Sequence, residues 1–320
     1  MKNEPRVGII GCGAIAESHL EGYEKNGITP VAFADISKER ADAFATKLGT
    51  ARTYSSSEEL LNSGIDAINI CTPPNLHCQI ALAALDRGIH VLCEKPLAGT
   101  LADSLAIEDA AAKSPAVFMM AFRHRFLPAH LKMRELIQSG DLGKIILFRN
   151  IFGGPMPSMK DKWFCQQAIA GGGVLMDTST HGLDLFRFYC GEVAASSGHI
   201  AKAFEGTDVE DSGVVSLRAE SGALGLVTSS WNMGTWKAVV EIETEFGALL
   251  YDYSNGAEIK VRRKDVKTTE TIEVVESGGF SEQISHFLQT IADQSAPSPS
   301  AFDGRRAVEI LDNLYLSESL

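Results

Sequence analysis

Between residues 6 and 121, short apolar runs alternate with longer amphipathic stretches, and a chain patterned this way has few folds open to it. The runs are Val7–Ile10, Val31–Ala34, Ala67–Cys71, His90–Cys93 and Val117–Ala121. They are apolar throughout rather than at every second residue, as strands of a parallel sheet covered on both faces must be. The stretches between them, Ala14–Lys25, Lys38–Leu48, Leu76–Arg87 and Leu101–Lys113, are rich in Ala, Leu, Glu and Lys and predict helices. Gly27, Gly49 and Gly88 stand where helix stops are expected. Residues 1–123 therefore read as a doubly wound α/β domain.

From Pro128 the pattern changes. A helix to Ser139, a strand over Lys144–Phe152, a Gly/Pro/Met loop and a long helix over about Val174–Tyr189 are followed by strands without helices between them. The strands are predicted at Val193–Ala203, Ser212–Ala219, Ala223–Trp231, Lys237–Phe246, Leu249–Tyr253, Glu258–Arg263 and Thr269–Val275, with turns such as Ser221-Gly222 and Asn255-Gly256. Ala238, Val240, Ile242, Thr244 and Phe246 alternate with Glu241, Glu243 and Glu245, so one face is buried and the other wet or paired. Helices are expected over Ser281–Asp293 and Arg305–Leu316. Residues 124–320 thus read as an α+β domain on an open, mainly antiparallel sheet, its last helix able to pack back on the first domain. A chain of 320 residues is long enough for two cores.

The charge balance narrows the partners. Lys and Arg total 29 against 41 Asp and Glu, a formal charge of −12 that repels phosphate backbones and anionic lipid surfaces, so no nucleic acid and no membrane partner is expected. The polar start, Met1 to Arg6, lacks a signal-peptide pattern, and no apolar stretch approaches the roughly 18 residues of a spanning helix. Cys12, Cys71, Cys78, Cys93, Cys165 and Cys190 form no C-x-x-C pair and no metal-ligand spacing, and read as reduced thiols of a cytoplasmic protein.

Three segments carry chemistry. The first run leads into Gly11-Cys12-Gly13-Ala14-Ile15-Ala16, a G-x-G-x-x-A turn opening a helix. Its glycines allow a tight turn and the close approach of a pyrophosphate to the helix N-terminus. Asp35 ends the second run, where a carboxylate can accept hydrogen bonds from an adenosine ribose, so a Rossmann dinucleotide site is expected. Asp35 opposes the 2′-phosphate of NADP while Lys38 and Arg40 would offset it; NAD is the preferred cofactor and NADP the alternative. The second segment comprises Cys71-Thr72-Pro73-Pro74-Asn75 and Glu94-Lys95-Pro96-Leu97, both at carboxyl ends of strands, where open α/β sheets bind ligands. Lys95 beside an oxidised nicotinamide would have its ammonium destabilised. The third is Gly171-Gly172-Gly173-Val174-Leu175-Met176-Asp177-Thr178-Ser179-Thr180-His181-Gly182-Leu183-Asp184. On a regular helix Asp177, His181 and Asp184 share a face and suit a base with orienting carboxylates.

In this order, and over essentially the whole chain, these motifs resemble the glucose-fructose oxidoreductase / inositol dehydrogenase / rhizopine catabolism (Gfo/Idh/MocA) family of NAD(P)-dependent enzymes. The match lies in Gly11–Ala16, Glu94–Pro96 and Gly171–His181. The resemblance implies Lys95, Asp177 and His181 as the catalytic group, a cis bond before Pro96, and a second-domain sheet that pairs subunits into homodimers or homotetramers. It also implies that Thr72, Pro73, Asn75 and His77 line the cofactor groove, with Gly11, Gly13, Ala14, Ile15, Asp35, Arg40, Glu94 and Lys95 on the dinucleotide. His124, Arg125 and Trp163 would approach the substrate. Two departures stand out: Ser179 where members often carry Gly, and Trp163-Phe164 where they carry Trp-Arg.

The resulting reading is an NAD(P)-dependent oxidoreductase acting on a secondary alcohol of a sugar, cyclitol or related polyol. An NAD-dependent glycoside hydrolase on the same scaffold and a non-catalytic dinucleotide sensor are the alternatives. Val214, Leu226, Tyr251 and Tyr253 are expected to furnish the apolar open face of the second sheet.

Overall fold

The computed structural model describes residues 4–49 and 51–318; Met1–Asn3 of the polar start lie outside the described residues. The chain packs as two compact units, one of residues up to Arg123 with Phe280–Val308, the other of His124–Gly279 with residues from Glu309 onward.

In the first unit, β1 (Val7–Ile10), β2 (Ala32–Ala34), β3 (Arg52–Tyr54), β4 (Ala67–Ile70), β5 (His90–Cys93) and β6 (Phe118–Met120) form a parallel sheet in the order β3-β2-β1-β4-β5-β6. Helices α1 (Ala14–Lys25), α2 (Lys38–Leu48), α3 (Ser57–Leu61), α4 (His77–Asp86) and α5 (Leu101–Lys113) connect the strands. Ile9, Phe33, Ile68, Ile70 and Leu92 are completely buried, which is why these strands read as unbroken apolar runs. The edge strand β3, polar and partly exposed, carries no such signature and is absent from the sequence expectation, as is α3.

One step beyond the strands, the backbone keeps a common rung. Gly11 N–H donates to Ala34, Cys71 to Ile10, Glu94 to Ile70 and Ala121 to Cys93. The loops that follow β1, β2, β4, β5 and β6 therefore leave the sheet along one edge, its carboxyl edge.

In the second unit, α6 (Pro128–Gln138), β7 (Ile145–Pro155), α7 (Gln167–Ala170) and α8 (Thr180–Cys190) precede seven strands: β8 (Val193–Ala201), β9 (Ser212–Ala219), β10 (Leu224–Ser230), β11 (Asn232–Thr244), β12 (Gly247–Asp252), β13 (Glu258–Arg263) and β14 (Glu270–Glu273). Their sheet runs β14-β13-β12-β11-β7-β10-β9-β8, with β7 and β10 parallel and the other pairs antiparallel. In β11, Ala238, Val240, Ile242 and Thr244 are buried, while Arg149 pairs with Glu241 at 2.7 Å on the other face. Phe246 leaves the expected alternation: it lies in the turn to β12 and is 51% exposed.

The open face also differs from its sequence expectation. Val214 and Leu226 alternate with buried Val215 and Val227 and lie on that face. Tyr251 and Tyr253 do not, because their rings pack on His130 of α6, at 5.4 and 5.8 Å between centroids. The Gly/Pro/Met segment after β7 is wound into 3₁₀ turns at Pro157–Asp161 and Trp163–Cys165.

The chain closes with α9 (Phe280–Asp293) and α10 (Ala301–Glu318). The sequence reading kept α9 with the second domain, whereas residues 280–308 pack with the first unit. The reason is local to α1: Asn26 Nδ2 donates to the Ser281 carbonyl at 2.9 Å, and His19 meets the edge of Phe280 at 5.3 Å. No helix among the described residues is long and apolar enough to cross a bilayer.

Candidate active site

At the turn after β1, Gly11 adopts φ +89°, a region that L side chains rarely enter, and a Cβ there would lie 2.7 Å from the Cys71 carbonyl. Gly13 differs. A Cβ at that position would meet no protein atom within 4 Å, so packing does not demand glycine; room for something laid across the turn does. The N-terminus of α1 carries no side-chain cap, leaving its dipole to an anion. Ala14 is exposed and Ile15 half-buried. Asp35 is fixed beside this turn, accepting from Cys12 N–H and from Ser37 N–H, both at 2.8 Å. Lys38 is engaged by Asp42 at 2.9 Å and Thr53 at 3.1 Å, and Arg40 is exposed. These features fit a dinucleotide.

Thr72 and Pro73 are half-buried and Asn75 is exposed on the loop after β4. His77, expected on the groove wall, has no exposed surface. Its ring nitrogens lie 3.0 Å from the Pro96 carbonyl and 2.8 Å from that of Thr72, so it ties the two loops together from beneath. Burial holds its pKa below the ordinary imidazole value against both carbonyls.

Lys95 follows β5, half-buried, and its bond to Pro96 is cis, as the family resemblance implies. The preceding Glu94 is buried and lies 2.7 Å from His19 Nε2, while its other oxygen accepts from the Lys95 N–H at 3.1 Å. Burial pushes the Glu94 carboxyl up, but the His19 hydrogen bond and charge, with the Lys95 charge, bring it below the usual carboxylate value. Helix α1 and the Lys95 segment are thereby joined through a buried pair that the sequence reading did not foresee.

The glycine run of the second unit leads into a π turn over Leu175–Ser179, and only from Thr180 does α8 take regular α geometry. The expectation of one continuous helix is corrected accordingly. Asp177 lies in the π turn and His181 in the first turn of α8, both half-buried. The start of this segment is held by Glu210, whose carboxylate accepts from Gly173 N–H and Leu175 N–H at 2.9 Å each and from the Tyr315 hydroxyl at 2.9 Å. Ser179, the departure from the family pattern, is buried and donates to Ser229 Oγ at 2.7 Å. A Cβ at Gly182 would lie 2.4 Å from Asn150 Oδ1 and 2.8 Å from Val227 Cγ1, so α8 touches the sheet directly after His181.

Asp184, read as an orienting carboxylate on the His181 face, is buried and gripped by both arms of Arg125, at 2.8 and 2.6 Å. That bidentate pair also draws Arg125, expected on the substrate, into the interior. His124 is 2% exposed and stacks on His181, with ring centroids 4.2 Å apart and planes 17° from parallel. Trp163 is half-buried and stacks on Phe164 at 3.8 Å.

Sequence reasoning missed His19, Glu210, Ser229, Asn150 and Tyr253. His19 alone offered a signal, a polar residue beside the apolar Leu20 and Tyr23 of α1.

Comparisons with known proteins identify the family of the two domains. The family model described as an oxidoreductase family with an NAD-binding Rossmann fold matches residues 5–122, and that of the GFO/IDH/MocA C-terminal domain matches residues 130–249. Levoglucosan dehydrogenase of Pseudarthrobacter phenanthrenivorans is 27% identical over 97% of this chain and 95% of its own. The 1,5-anhydro-D-fructose reductase of Ensifer adhaerens is 32% identical over 77% of this chain and 75% of its own. A solved levoglucosan dehydrogenase in complex with NADH and levoglucosan superposes with a TM-score of 0.93 at 26% identity, covering 98% of this chain and 96% of that one.

Proposed function

Because the chain belongs to the GFO/IDH/MocA family of oxidoreductases, whose first domain is an NAD-binding Rossmann fold, we propose that it oxidises a secondary alcohol of a sugar, a cyclitol or a related polyol, or runs the reverse reduction. The observation that carries this reading is the state of Lys95, Asp177 and His181. All three are half-buried, and the segments that carry them, at a strand end and a helix start, are anchored by buried hydrogen bonds. A module that only sensed a dinucleotide would have no use for such a trio. The names of the relatives, a levoglucosan dehydrogenase and an anhydrofructose reductase, support a carbohydrate substrate.

A bound NAD supplies the hydride acceptor. Within the protein, His181 takes the proton of the reacting hydroxyl and Lys95 donates a hydrogen bond to the same oxygen, stabilising the charge that develops on it. Asp177 supports their charges. Glu94 keeps Lys95 in place through its backbone N–H, and Arg125 acts on α8 through Asp184 rather than on substrate. Trp163, half-buried, is assigned to the substrate.

Asp35 favours NAD. Its carboxylate is fixed by two N–H donors, and Lys38, one of two cations that would welcome a 2′-phosphate, is held by Asp42 and Thr53. The open face carrying Val214 and Leu226 supports a homodimer or homotetramer. Six unpaired thiols suit the cytoplasm.

A panel of sugars and inositols assayed for NAD reduction tests the reaction: NADH should accumulate in proportion to ketone product. Turnover without net NADH would move the reading to the hydrolase. Tighter binding of NADPH than NADH to the unmodified protein would overturn the cofactor preference, and Asp35→Ser should narrow the difference between them.

A further inference from the structure

Behind His181 runs a chain of rings, His124 and His130 buried and Tyr253 and Tyr189 half-buried, which with both imidazoles neutral holds one proton for each hydrogen bond. His124 Nδ1 lies 2.8 Å from the Tyr253 hydroxyl, which is also 2.7 Å from His130 Nε2; His130 Nδ1 lies 2.7 Å from the Tyr189 hydroxyl. At the far end, the Tyr189 hydroxyl donates to the His130 backbone carbonyl at 3.2 Å. A carbonyl can only accept, so this last bond sets the direction of every other one.

Having given its single proton to the carbonyl, Tyr189 accepts from His130 Nδ1–H. His130 is then the Nδ1–H tautomer and its Nε2 accepts from Tyr253. Tyr253, having donated to His130, must accept from His124 Nδ1–H. Burial pushes the Tyr189 phenol far above its ordinary value, which keeps it a neutral donor at the end of the chain. Two stacked imidazoles at 4.2 Å cannot both carry a charge without strong repulsion, so the state of one ring governs the other.

We propose that His124 is a positioning residue for His181: a neutral ring fixed as the Nδ1–H tautomer by Tyr253, His130 and Tyr189, stacked so that His181 is the member of the pair that takes the proton. The inference rests on the reading of His181 as the base. It gives the buried His124 a task other than touching substrate, and it explains why Tyr253 turns inward from the end of β12.

The test uses the full chain labelled with ¹⁵N-histidine. Long-range ¹H–¹⁵N spectra at neutral pH, assigned with His124→Gln and His130→Gln, should show His124 as the Nδ1–H tautomer. Tyr253→Phe keeps the ring and removes the hydroxyl. It should abolish the single-tautomer pattern of His124 and lower kcat by about tenfold while KM for NAD and sugar stays within about twofold, the loss expected for one hydrogen bond acting on the chemical step. Should that variant not fold, Tyr189→Phe removes the terminal donor and should release the tautomers of both His130 and His124. A wild-type spectrum with His124 protonated on Nε2 or on both nitrogens overturns the proposal, as does a Tyr253→Phe protein with unchanged spectrum and kcat. The spectra are read without turnover, so normal activity in His181→Ala would remove the base assignment while leaving the tautomer result to stand by itself.

Discussion

In the first unit the candidate residues follow parallel strands and sit just past the last backbone rung; in the second they ride on a helix whose place is set by side chains. Gly11, Cys71 and Glu94 reach the carboxyl edge of the sheet because their own N–H groups pair with Ala34, Ile10 and Ile70. Asp177 and His181 are placed because Glu210 holds the start of the segment, Ser229 binds Ser179, and Asn150 and Val227 leave no room beneath Gly182. Backbone pairing tolerates changes in side chains. Side-chain docking does not, so the second unit should be the one in which substitutions that never touch a ligand still reach the chemistry.

The largest effect should come from the reacting groups, and it should divide along the same line. His181→Ala removes the proposed base and should lower turnover by about 10²–10⁴-fold with NADH affinity nearly unchanged. Lys95→Met, just past the end of β5, should be at least as damaging and should also weaken NADH. Steady-state kinetics with a fluorescence titration of NADH decide both, and near-normal turnover in His181→Ala would leave Lys95 as the leading base.

Next in size is a matched pair of glycines. In Gly182→Ala the added methyl collides with Asn150 and Val227, and overpacking of this kind costs about 1–3 kcal/mol, visible as a lower melting temperature together with a lower kcat. Gly13→Ala places its methyl in open space, so the melting temperature should hold while NADH binding weakens about tenfold. If both variants lost stability, or neither did, the contrast between the units would collapse.

The smallest effect concerns pH. Glu94 has its carboxyl held below the ordinary value of 4.5, so it adds stability above that pH and loses it as pH falls through the lowered value. Thermal melts of wild type and Glu94→Gln should therefore be furthest apart at neutral pH and converge in acid. Curves that stayed parallel into strong acid would contradict this sign.

What could be read from the sequence follows the same division. Val7–Ile10, His90–Cys93, Ala14–Lys25, Lys38–Leu48 and Leu101–Lys113 are found to the residue, since an apolar run and a glycine stop are local signals. The polar edge strand Arg52–Tyr54 has neither. The glycine turn and Asp35 were legible as a dinucleotide pattern, but their hydrogen bond through Cys12 was not. His19 finds Glu94 across 75 positions, Glu210 finds Gly173 across 37 and Ser179 finds Ser229 across 50. No window of the sequence contains both members of such a pair, and only the folded chain brings them together. Asp184 shows the same gap: helical spacing set it near His181 but carried no sign of its buried pair with Arg125, 59 positions away.

The π turn at Leu175–Ser179 has a consequence for length rather than for composition. A π turn holds one residue more than an α turn, so it behaves as an insertion that the helix has absorbed. Removing a single residue between Leu175 and Ser179 would restore an α repeat and rotate everything before it by about 100° relative to α8. The Gly173 N–H would be turned away from the Glu210 carboxylate that holds it, although every side chain in the segment but one had been kept. The segment depends on its count as well as on its letters.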